Sequence, residues 1–362
     1  MKPEKYGGIV EISAAIREYY GLDHSAKCDP DVLQWLNSNQ FRCVVVLLID
    51  GMGTSIMNRH LSKDGFFLSH TVKEVSTVFP PTTTAATTAF LTGRYPCETA
   101  WLGWNQYFPE INDELILFRD SGQYSGKWYP NYAWEHLPIK LLPDELKEKG
   151  IRSESVWPEW GQVNPCESYT KMMNKTAELA AKPGMRSVYS YWDALDITMH
   201  INGPHSEIVT RILQRIEEDT ALMHRHLPED CGLLIIADHS QVSVRHYSSD
   251  RDEEFCSYLA QAPTIEARAA SFYIKEGKKE AFELYFNKKF GRSFRLIRHE
   301  DVLKEKWFGP GTPHPRLSDF IGDYLAVAVS DLQLDYNRGK ETRGNHAGGL
   351  REEAMIPVIL VP

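Results

Sequence analysis

Acidic, imidazole and hydroxyl side chains that could carry out hydrolytic chemistry occur at widely separated positions of this chain. Carboxylates and imidazoles are the usual ligands of a divalent cation of the zinc type. A hydroxyl beside such a cation can serve as a nucleophile. The candidate groups follow apolar runs or lie in glycine-rich turns, and they are Asp50, Thr83, Asp196, His200, Asp238, His239 and His346.

The stretch Val78–Asn105 contains the hydroxyl candidate. The pair Pro80 and Pro81 precedes three consecutive threonines, and an apolar helical run then continues to Gly93. The first turn of a helix presents unpaired N–H groups and the positive end of the helix dipole, which favour a bound phosphate. The pattern therefore favours Thr83 as a nucleophile, although threonine is also an ordinary helix cap.

Two apolar runs end in acidic residues. Cys43–Gly53 is rich in valine and reaches Asp50, while Cys231–Ser240 reaches Asp238, with His239 directly after it. Continuous apolar runs predict central parallel strands that are covered on both faces, and ligands bind at the carboxyl ends of such strands. A plain Asp-Gly turn is the alternative interpretation of Asp50. The repeated pattern favours a shared site.

The remaining ligand candidates lie in two turns. In Ser187–Pro204 a predicted strand is followed by Asp196 and His200 within a turn. An isolated Asp-x3-His is weak evidence for a cation site. His346 is the single histidine of the glycine-rich loop Arg343–Gly349, where the absence of side chains lets backbone and ligand approach closely.

The elements that must position these groups alternate between strand and helix, which predicts an α/β fold. The first 40 residues predict two short helices, and Glu207–His226 predicts a long amphipathic one. Segment 245–320 is rich in charge and contains no further cluster of ligand-type residues. We expect it to form a small inserted α+β subdomain that could act as a cap. The hydrolase core is then predicted to comprise 1–244 and 321–362, and the main fold is expected to resume with a buried strand in Asp323–Ser330.

Residues 101–134 are unusually aromatic. Glycine and polar residues interleave the aromatic ones without a helical period, which predicts a long ordered loop near the site. Trp104 and Tyr107 could stack on a base of the substrate. The alternative is that these rings only pack the loop against the protein.

Composition limits the partners. The 362-residue chain has a formal net charge of −9, which argues against a polymeric nucleic acid as the main partner. No apolar run approaches the roughly 18 residues of a membrane span, and Glu11 and Arg17 interrupt the apolar residues near the N-terminus. Its six cysteines form no close pairs. We therefore expect a soluble cytoplasmic protein with reduced thiols, whose oligomeric state the sequence leaves open.

Five sequence elements in one order resemble the alkaline phosphatase superfamily, and within it the type I phosphodiesterase/nucleotide pyrophosphatase branch. The resemblance covers the chain apart from the inserted segment and implies a three-layer sandwich with a mostly parallel central sheet. The matching elements are Ile49-Asp50-Gly51, Phe79-Pro80-x-x-Thr83 with Thr92-Gly93 and Tyr95-Pro96, Asp196-x3-His200-x2-Gly203-Pro204, Asp238-His239, and Gly344-x-His346.

The resemblance also implies roles for individual residues. One zinc ion would be bound by Asp196, His200 and His346. The other would be bound by Asp50, Asp238 and His239, with the Thr83 hydroxyl as a further ligand and as the nucleophile that forms a phosphothreonine. Asn105 falls where the family has an asparagine that donates to the phosphate, with one extra residue between Pro96 and Asn105. Manganese could replace zinc, because such sites discriminate poorly between the two metals.

Departures from the family pattern affect the substrate rather than the metal chemistry. Thr83 is not followed by the usual Pro-Asn-His, and Ser240 and Gln241 replace a common Gly-Met pair. The leading hypothesis is a two-zinc phosphodiesterase or nucleotide pyrophosphatase that acts on a small-molecule phosphate ester. A phosphomonoesterase or phosphonoacetate-type hydrolase is the next hypothesis, and an inactive metal-binding relative is the third.

Overall fold

The computed structural model describes residues 5–337 and 341–362. The helices are α1 (Gly8–Tyr20), α2 (Pro30–Asn39), α3 (Thr54–His60), α4 (Phe66–Ser69), α5 (Thr83–Thr92), α6 (Pro96–Thr99), α7 (Tyr132–His136), α8 (Leu142–Glu148), α9 (Tyr169–Ala180), α10 (Ala194–Asn202), α11 (Glu207–His224), α12 (Glu253–Tyr258), α13 (Lys279–Phe290), α14 (His299–Lys304), α15 (Leu317–Ile321) and α16 (Arg351–Ala354). The strands are β1 (Cys43–Ile49), β2 (Thr71–Ser76), β3 (Asn105–Phe108), β4 (Asp113–Ile116), β5 (Ser121–Gly122), β6 (Ser153–Pro158), β7 (Pro165–Cys166), β8 (Ser187–Trp192), β9 (Cys231–Ile236), β10 (Val242–Ser243), β11 (Arg245–Ser248), β12 (Thr264–Ile265), β13 (Ala269–Phe272), β14 (Phe294–Arg298), β15 (Tyr324–Ala328), β16 (Leu332–Asp335), β17 (Gly344–Asn345) and β18 (Met355–Val361).

The central sheet has the strand order β2-β18-β9-β1-β8-β6-β7. Strand β1 pairs in parallel with β8 and β9, and β6 pairs in parallel with β8 and β7, whereas β18 pairs antiparallel with β9 and β2. Every residue of β1, β8 and β9 is buried, as expected of strands covered on both faces. The predicted α/β fold with a mostly parallel sheet is confirmed.

A second sheet has the order β14-β15-β13-β12-β3-β4-β5 and is antiparallel throughout. Side chains of its strand β15 alternate between two apolar clusters. Leu325 and Val327 pack with the residues around Trp101, while Ala326 packs with the residues around Phe272. Because successive side chains of a strand point to opposite faces, both faces of this sheet are buried.

The buried strand expected in Asp323–Ser330 forms as β15, which pairs with β13 and β14 in the second sheet. The expectation of a loop in residues 101–134 is wrong, because they contain β3, β4, β5 and the start of α7. Strand β3 is short, and its pairing with β12, more than 150 residues later, was not visible in a local pattern.

The helices expected near the N-terminus and from Glu207 onward are present as α1, α2 and α11. The division into a core of 1–244 plus 321–362 and an insertion of 245–320 stays a prediction. Strands β12, β13 and β14 of the predicted insertion share one sheet with β3 and β15 of the predicted core. Within the part of the chain that the structure describes, every helix is too short or too polar to cross a bilayer.

Candidate metal centre

Three neighbouring strands of the central sheet bring acidic residues to one edge. Asp50 directly follows β1, Asp238 comes two residues after β9, and Asp196 lies in α10, which follows β8. Since β9, β1 and β8 are adjacent and parallel, their carboxyl ends meet at the same edge, as in other open α/β sheets. All three carboxylates are buried.

The first group of ligand-type atoms comes from Asp196, His200 and His346, which lie within 4.8 Å of one another. Asp196 and His200 belong to helix α10 rather than to the expected turn. Four residues span about one helical turn, so the two side chains share a face, and Nε2 of His200 lies 3.2 Å from Oδ2 of Asp196. His346 reaches the site from the loop that follows β17.

The second group comes from Asp50, Asp196 and His239, whose ligand-type atoms also lie within 4.8 Å of one another. The Thr83 hydroxyl lies among them, with its Oγ1 3.1 Å from Nε2 of His239 and 3.3 Å from Oδ2 of Asp50. Asp196 therefore belongs to both groups. The sequence had assigned it to the first group only.

Asp238 supplies an unsatisfied buried oxygen next to the second group. Its Oδ1 accepts hydrogen bonds from the backbone N–H groups of Gly51 (3.1 Å) and His239 (2.9 Å). Its Oδ2 is buried without a hydrogen-bond partner among the described residues, and it lies 3.6 Å from Nε2 of His239. A buried acceptor without a partner costs free energy, so this oxygen fits a cation ligand.

The cluster concentrates carboxylates and imidazoles in a buried site, and this shifts their pKa values. Burial raises the pKa of Asp50, and the adjacent carboxylates of Asp238 and Asp196 raise it further. Burial also raises the pKa of Asp238 and lowers that of His346. For Asp196, burial opposes ionisation, but the neighbouring imidazoles, chiefly that of His200, outweigh it and lower its pKa. A bound divalent cation would offset this concentration of buried acids.

Further contacts orient the histidine candidates. Nδ1 of His200 lies 2.8 Å from the carbonyl oxygen of Gly344, and Nδ1 of His346 lies 3.1 Å from that of Pro81. A hydrogen bond at Nδ1 fixes the tautomer and leaves Nε2 as the ligand atom. The rings of His239 and His346 stack with their centroids 3.9 Å apart.

Tyr191, which the sequence analysis missed, and Gln241, which it noted only as a departure from the family pattern, contact the acidic candidates. The Tyr191 hydroxyl donates to Oδ2 of Asp50, and the Gln241 amide donates to both the backbone and the side chain of Asp196. Tyr191 lies in β8 opposite Leu48 of β1. Only the register of these two strands places it beside Asp50, and no local motif indicates that register.

Helix α5 begins at the candidate nucleophile. Thr83 is its first residue and Thr82 is its N-cap residue, as expected from the preceding prolines. The Thr82 side chain makes no capping hydrogen bond, because its hydroxyl donates to Oε1 of Glu266 at 2.6 Å instead. The N–H groups of the first turn are thus not covered by the cap residue, which suits an anion site.

Residues 44–348 match the sequence model of the type I phosphodiesterase/nucleotide pyrophosphatase family. The chain belongs to this family. The resemblance to the alkaline phosphatase superfamily is thereby confirmed, and the chain is assigned to the phosphoester hydrolases. No curated protein sequence shows a significant match to it.

Solved phosphodiesterase and hydrolase structures share the fold. Murine ectonucleotide pyrophosphatase/phosphodiesterase 5 gives a TM-score of 0.67 at 17% identity, over 87% of each chain. An inactive variant of that murine protein is known in complex with AMP. Phosphonoacetate hydrolase from Sinorhizobium meliloti 1021, in complex with phosphonoacetate, gives a TM-score of 0.67 at 12% identity over 88% of this chain and 90% of its own. At these identities the likeness concerns the fold alone.

The site of this phosphodiesterase family member opens into a cavity of about 1090 Å³. Asp50, Thr83 and Asn105 line it together, with Asn105 at the start of β3. Trp104 also lines the cavity, but the guanidinium of Arg119 lies over its ring, 5.0 Å from the centroid. One face of that ring is therefore already covered.

Tyr107 lies apart from this cavity. Its hydroxyl donates to Oδ1 of Asn112 at 2.8 Å, and its ring packs edge-on against Tyr273 with centroids 5.7 Å apart. It is not among the described residues that line the cavity. The packing alternative is thus the better interpretation of Tyr107.

An aromatic wall, which we define as Trp157, Trp160 and Tyr191, lines the cavity on the central-sheet side. The three rings contact one another, with centroid separations of 5.4 to 6.1 Å. The wall begins at Tyr191, which contacts Asp50, and ends at Trp160, which is 62% exposed. The sequence analysis did not single out Trp157 or Trp160, because their distance from the ligand residues along the chain gave no signal.

Proposed function

We propose that this protein is a two-zinc phosphodiesterase/nucleotide pyrophosphatase-like hydrolase that forms a covalent phosphothreonine at Thr83. The observation that carries this proposal is the position of the Thr83 hydroxyl. It lies at a helix N-terminus, 3.1 Å from His239 and 3.3 Å from Asp50, within a buried cluster of carboxylates and imidazoles. A hydroxyl that only capped a helix would not need these neighbours.

The residues present fit two zinc ions, and manganese is the alternative metal. Asp196, His200 and His346 would hold one ion. Asp50, Asp238 and His239 would hold the other, and the unpartnered Oδ2 of Asp238 supports this assignment. When bound, the ions would neutralise charge on the phosphate oxygens and favour the deprotonated form of the Thr83 hydroxyl.

The side chains of the protein then act in two steps. Oγ1 of Thr83 forms a bond to phosphorus while the bond from phosphorus to the leaving oxygen breaks, and the departing group takes up a proton. Water subsequently hydrolyses the phosphothreonine and returns the free hydroxyl. Asn105 and the N–H groups of the first turn of α5 would donate to the non-bridging phosphate oxygens.

We propose a small-molecule diester, and in particular a nucleotide, as the substrate. A cavity of about 1090 Å³ has room for a second substituent on the phosphate, and the aromatic wall offers it a ring surface. The AMP complex of the murine relative supports this choice. A phosphonoacetate-type or monoester substrate is the second candidate, because the phosphonoacetate hydrolase has an equal TM-score. We expect a cytoplasmic location, in which the six free cysteines stay reduced.

The test compares bis-p-nitrophenyl phosphate with p-nitrophenyl phosphate as substrates of the zinc-loaded protein. We expect the diester to have the higher kcat/KM and Thr83→Ala to abolish its hydrolysis. Thr83→Ser is the matched variant, since it keeps the hydroxyl and should keep part of the activity. Trapping of labelled phosphate on Thr83 after acid quench would identify the intermediate.

Each result has a distinct meaning for the proposal. A preference for the monoester would move the substrate class to the second candidate and leave the nucleophile in place. Full activity of Thr83→Ala would contradict the proposed nucleophile. If neither ester is hydrolysed and zinc still binds, the protein is a binding relative rather than an enzyme of this kind.

A further inference from the structure

A hairpin tip of the second sheet reaches the candidate site. Strands β12 and β13 pair through Thr264 with Ser271 and through Ile265 with Ala270. The residues between the two strands form the hairpin tip, which we define as Glu266–Arg268. Glu266 lines the same cavity as Thr83 and Asn105.

One carboxylate oxygen of the hairpin tip contacts both segments that carry the proposed phosphate site, the start of α5 and the start of β3. Oε1 of Glu266 accepts a hydrogen bond from the Thr82 hydroxyl at 2.6 Å and another from the backbone N–H of Trp104 at 2.9 Å. Thr82 directly precedes Thr83, and Trp104 directly precedes Asn105. Glu266 therefore ties the residue before the nucleophile to the residue before the phosphate donor, across more than 20 positions of sequence.

The backbone beside Glu266 is held in an unfavourable conformation. Ile265 has φ +73°, a region that is costly for a β-branched residue. Its pairing with Ala270 and with Asn105 fixes it there, and a side chain at Gly103 would collide with Ile265. Strain of this kind persists only where the surrounding contacts determine the conformation, and it is frequent near functional sites.

We propose that Glu266 is a positioning residue that fixes the distance between the Thr83 hydroxyl and the Asn105 side chain. Its acceptor oxygen holds the N-terminus of α5 and the start of β3 together, and the strained Ile265 aims that oxygen between them. The Thr82 hydroxyl is thereby kept from capping α5. This inference rests on the proposed function, because it takes Thr83 as nucleophile and Asn105 as phosphate donor.

The test uses Glu266→Ala, Glu266→Gln and Thr82→Val on zinc-loaded protein, with the nitrophenyl ester that the wild type hydrolyses faster. Glu266→Ala should lower kcat by about 100-fold, the scale of a 1 Å misplacement, while KM changes little because binding to the cavity walls is retained. Glu266→Gln keeps an acceptor oxygen for both donors and should restore most of the activity. Thr82→Val should lower kcat by about tenfold, as for one lost charge-assisted hydrogen bond.

The double variant separates positioning from a general structural effect. If Thr82 acts through Glu266, Thr82→Val should have no further effect on kcat in the Glu266→Ala background. Additive losses would overturn the proposal, as would a wild-type kcat for Glu266→Ala. A Glu266→Gln variant as inactive as Glu266→Ala would overturn it too, since the charge rather than the acceptor geometry would then be required.

A second readout needs no turnover. The affinity of the zinc-loaded protein for inorganic phosphate, measured by calorimetry, should fall in Glu266→Ala and recover in Glu266→Gln while zinc stoichiometry stays the same. If the wild type hydrolyses neither ester, the proposed function fails, yet this measurement still decides whether Glu266 shapes the phosphate site. Equal phosphate affinity in all variants would contradict the inference.

Discussion

The buried acids at the end of β1 and β9 contribute to how the stability of the metal-free protein depends on pH. Burial raises the pKa of both Asp50 and Asp238. In the metal-free fold these carboxyls therefore keep their protons to higher pH than in the unfolded chain. Their contribution to stability is present at low pH and is lost as the pH rises through the folded-state pKa.

Zinc should reverse that loss, because it binds the deprotonated carboxylates. We predict that the increase in melting temperature on adding zinc is larger at pH 8 than at pH 5.5. Differential scanning calorimetry at both pH values checks it. Asp50→Asn, which removes one titrating candidate ligand, should reduce the gain at pH 8, and a pH-independent gain in the wild type would contradict the prediction.

The Tyr191 hydroxyl allows a second test, of whether its contact orients Asp50 for zinc binding. Its buried hydroxyl donates to Oδ2 of Asp50, and loss of an outer-shell contact of this type costs about 10- to 100-fold in metal affinity. Tyr191→Phe should therefore bind zinc at least tenfold more weakly in a chelator competition assay. Activity should recover at saturating zinc, whereas unchanged affinity would show that the hydroxyl does not orient Asp50.

At the scale of elements, a buried ion pair joins the second sheet to the loops that carry the candidate histidine ligands. Arg268, in the hairpin tip, and Glu353, in α16, are both fully buried and contact through two N–H···O bonds of 2.7 and 2.8 Å. Oε1 of Glu353 also accepts from the N–H of Gly348, and its carbonyl oxygen accepts from the N–H of Ser240. Gly348 and Ser240 lie close in sequence to His346 and His239.

Removal of one member of this pair leaves a buried, unpaired charge. Arg268→Met should destabilise the protein by about 3–5 kcal/mol, as measured by urea unfolding of the metal-free protein. The double variant Arg268→Met/Glu353→Met should recover part of this loss, because it leaves no unpaired charge. A double variant less stable than either single one would mean that the hydrogen bonds to Gly348 outweigh the charge effect.

Some secondary-structure elements could be predicted from sequence patterns, and others could not. The valine-rich run of β1 and the proline pair before α5 predicted a buried strand and a helix start, because both effects are local. Asp196 was expected in a turn but lies in α10. The buried strand β15 was predicted, but its place in the second sheet was not, because a buried apolar run does not specify its pairing partner.

At the scale of the whole molecule, the cavity is formed by residues from both sheets. Asp50 and Tyr191 come from the central sheet, whereas Asn105 and Thr264 come from the second. Its aromatic wall extends from the candidate metal centre to the exposed ring of Trp160. On the proposed function, we expect a second ester substituent to lie next to the wall when the phosphate is at Thr83.

Trp160→Ala should therefore raise KM for bis-p-nitrophenyl phosphate by about fivefold, as expected from the loss of roughly 1 kcal/mol of aromatic contact. The value of kcat should change little, since the ring is expected to contact the substituent rather than the reacting phosphate. Tyr107→Phe is the control, because Tyr107 is not among the described residues that line the cavity. Unchanged KM for Trp160→Ala would argue against binding of the substituent to the wall.

The sequence by itself determined the fold class, and it predicted the candidate ligands and the candidate nucleophile. These features depend on which residue types lie at the ends of strands and at the starts of helices. Such positions can be recognised from neighbouring residues in the sequence. Only the tertiary structure decided that Asp196 faces both ligand groups, that Tyr191 contacts Asp50 and that Glu266 joins Thr82 to Trp104. Such contacts depend on strand register and on pairing between segments up to 184 residues apart, which no local periodicity encodes.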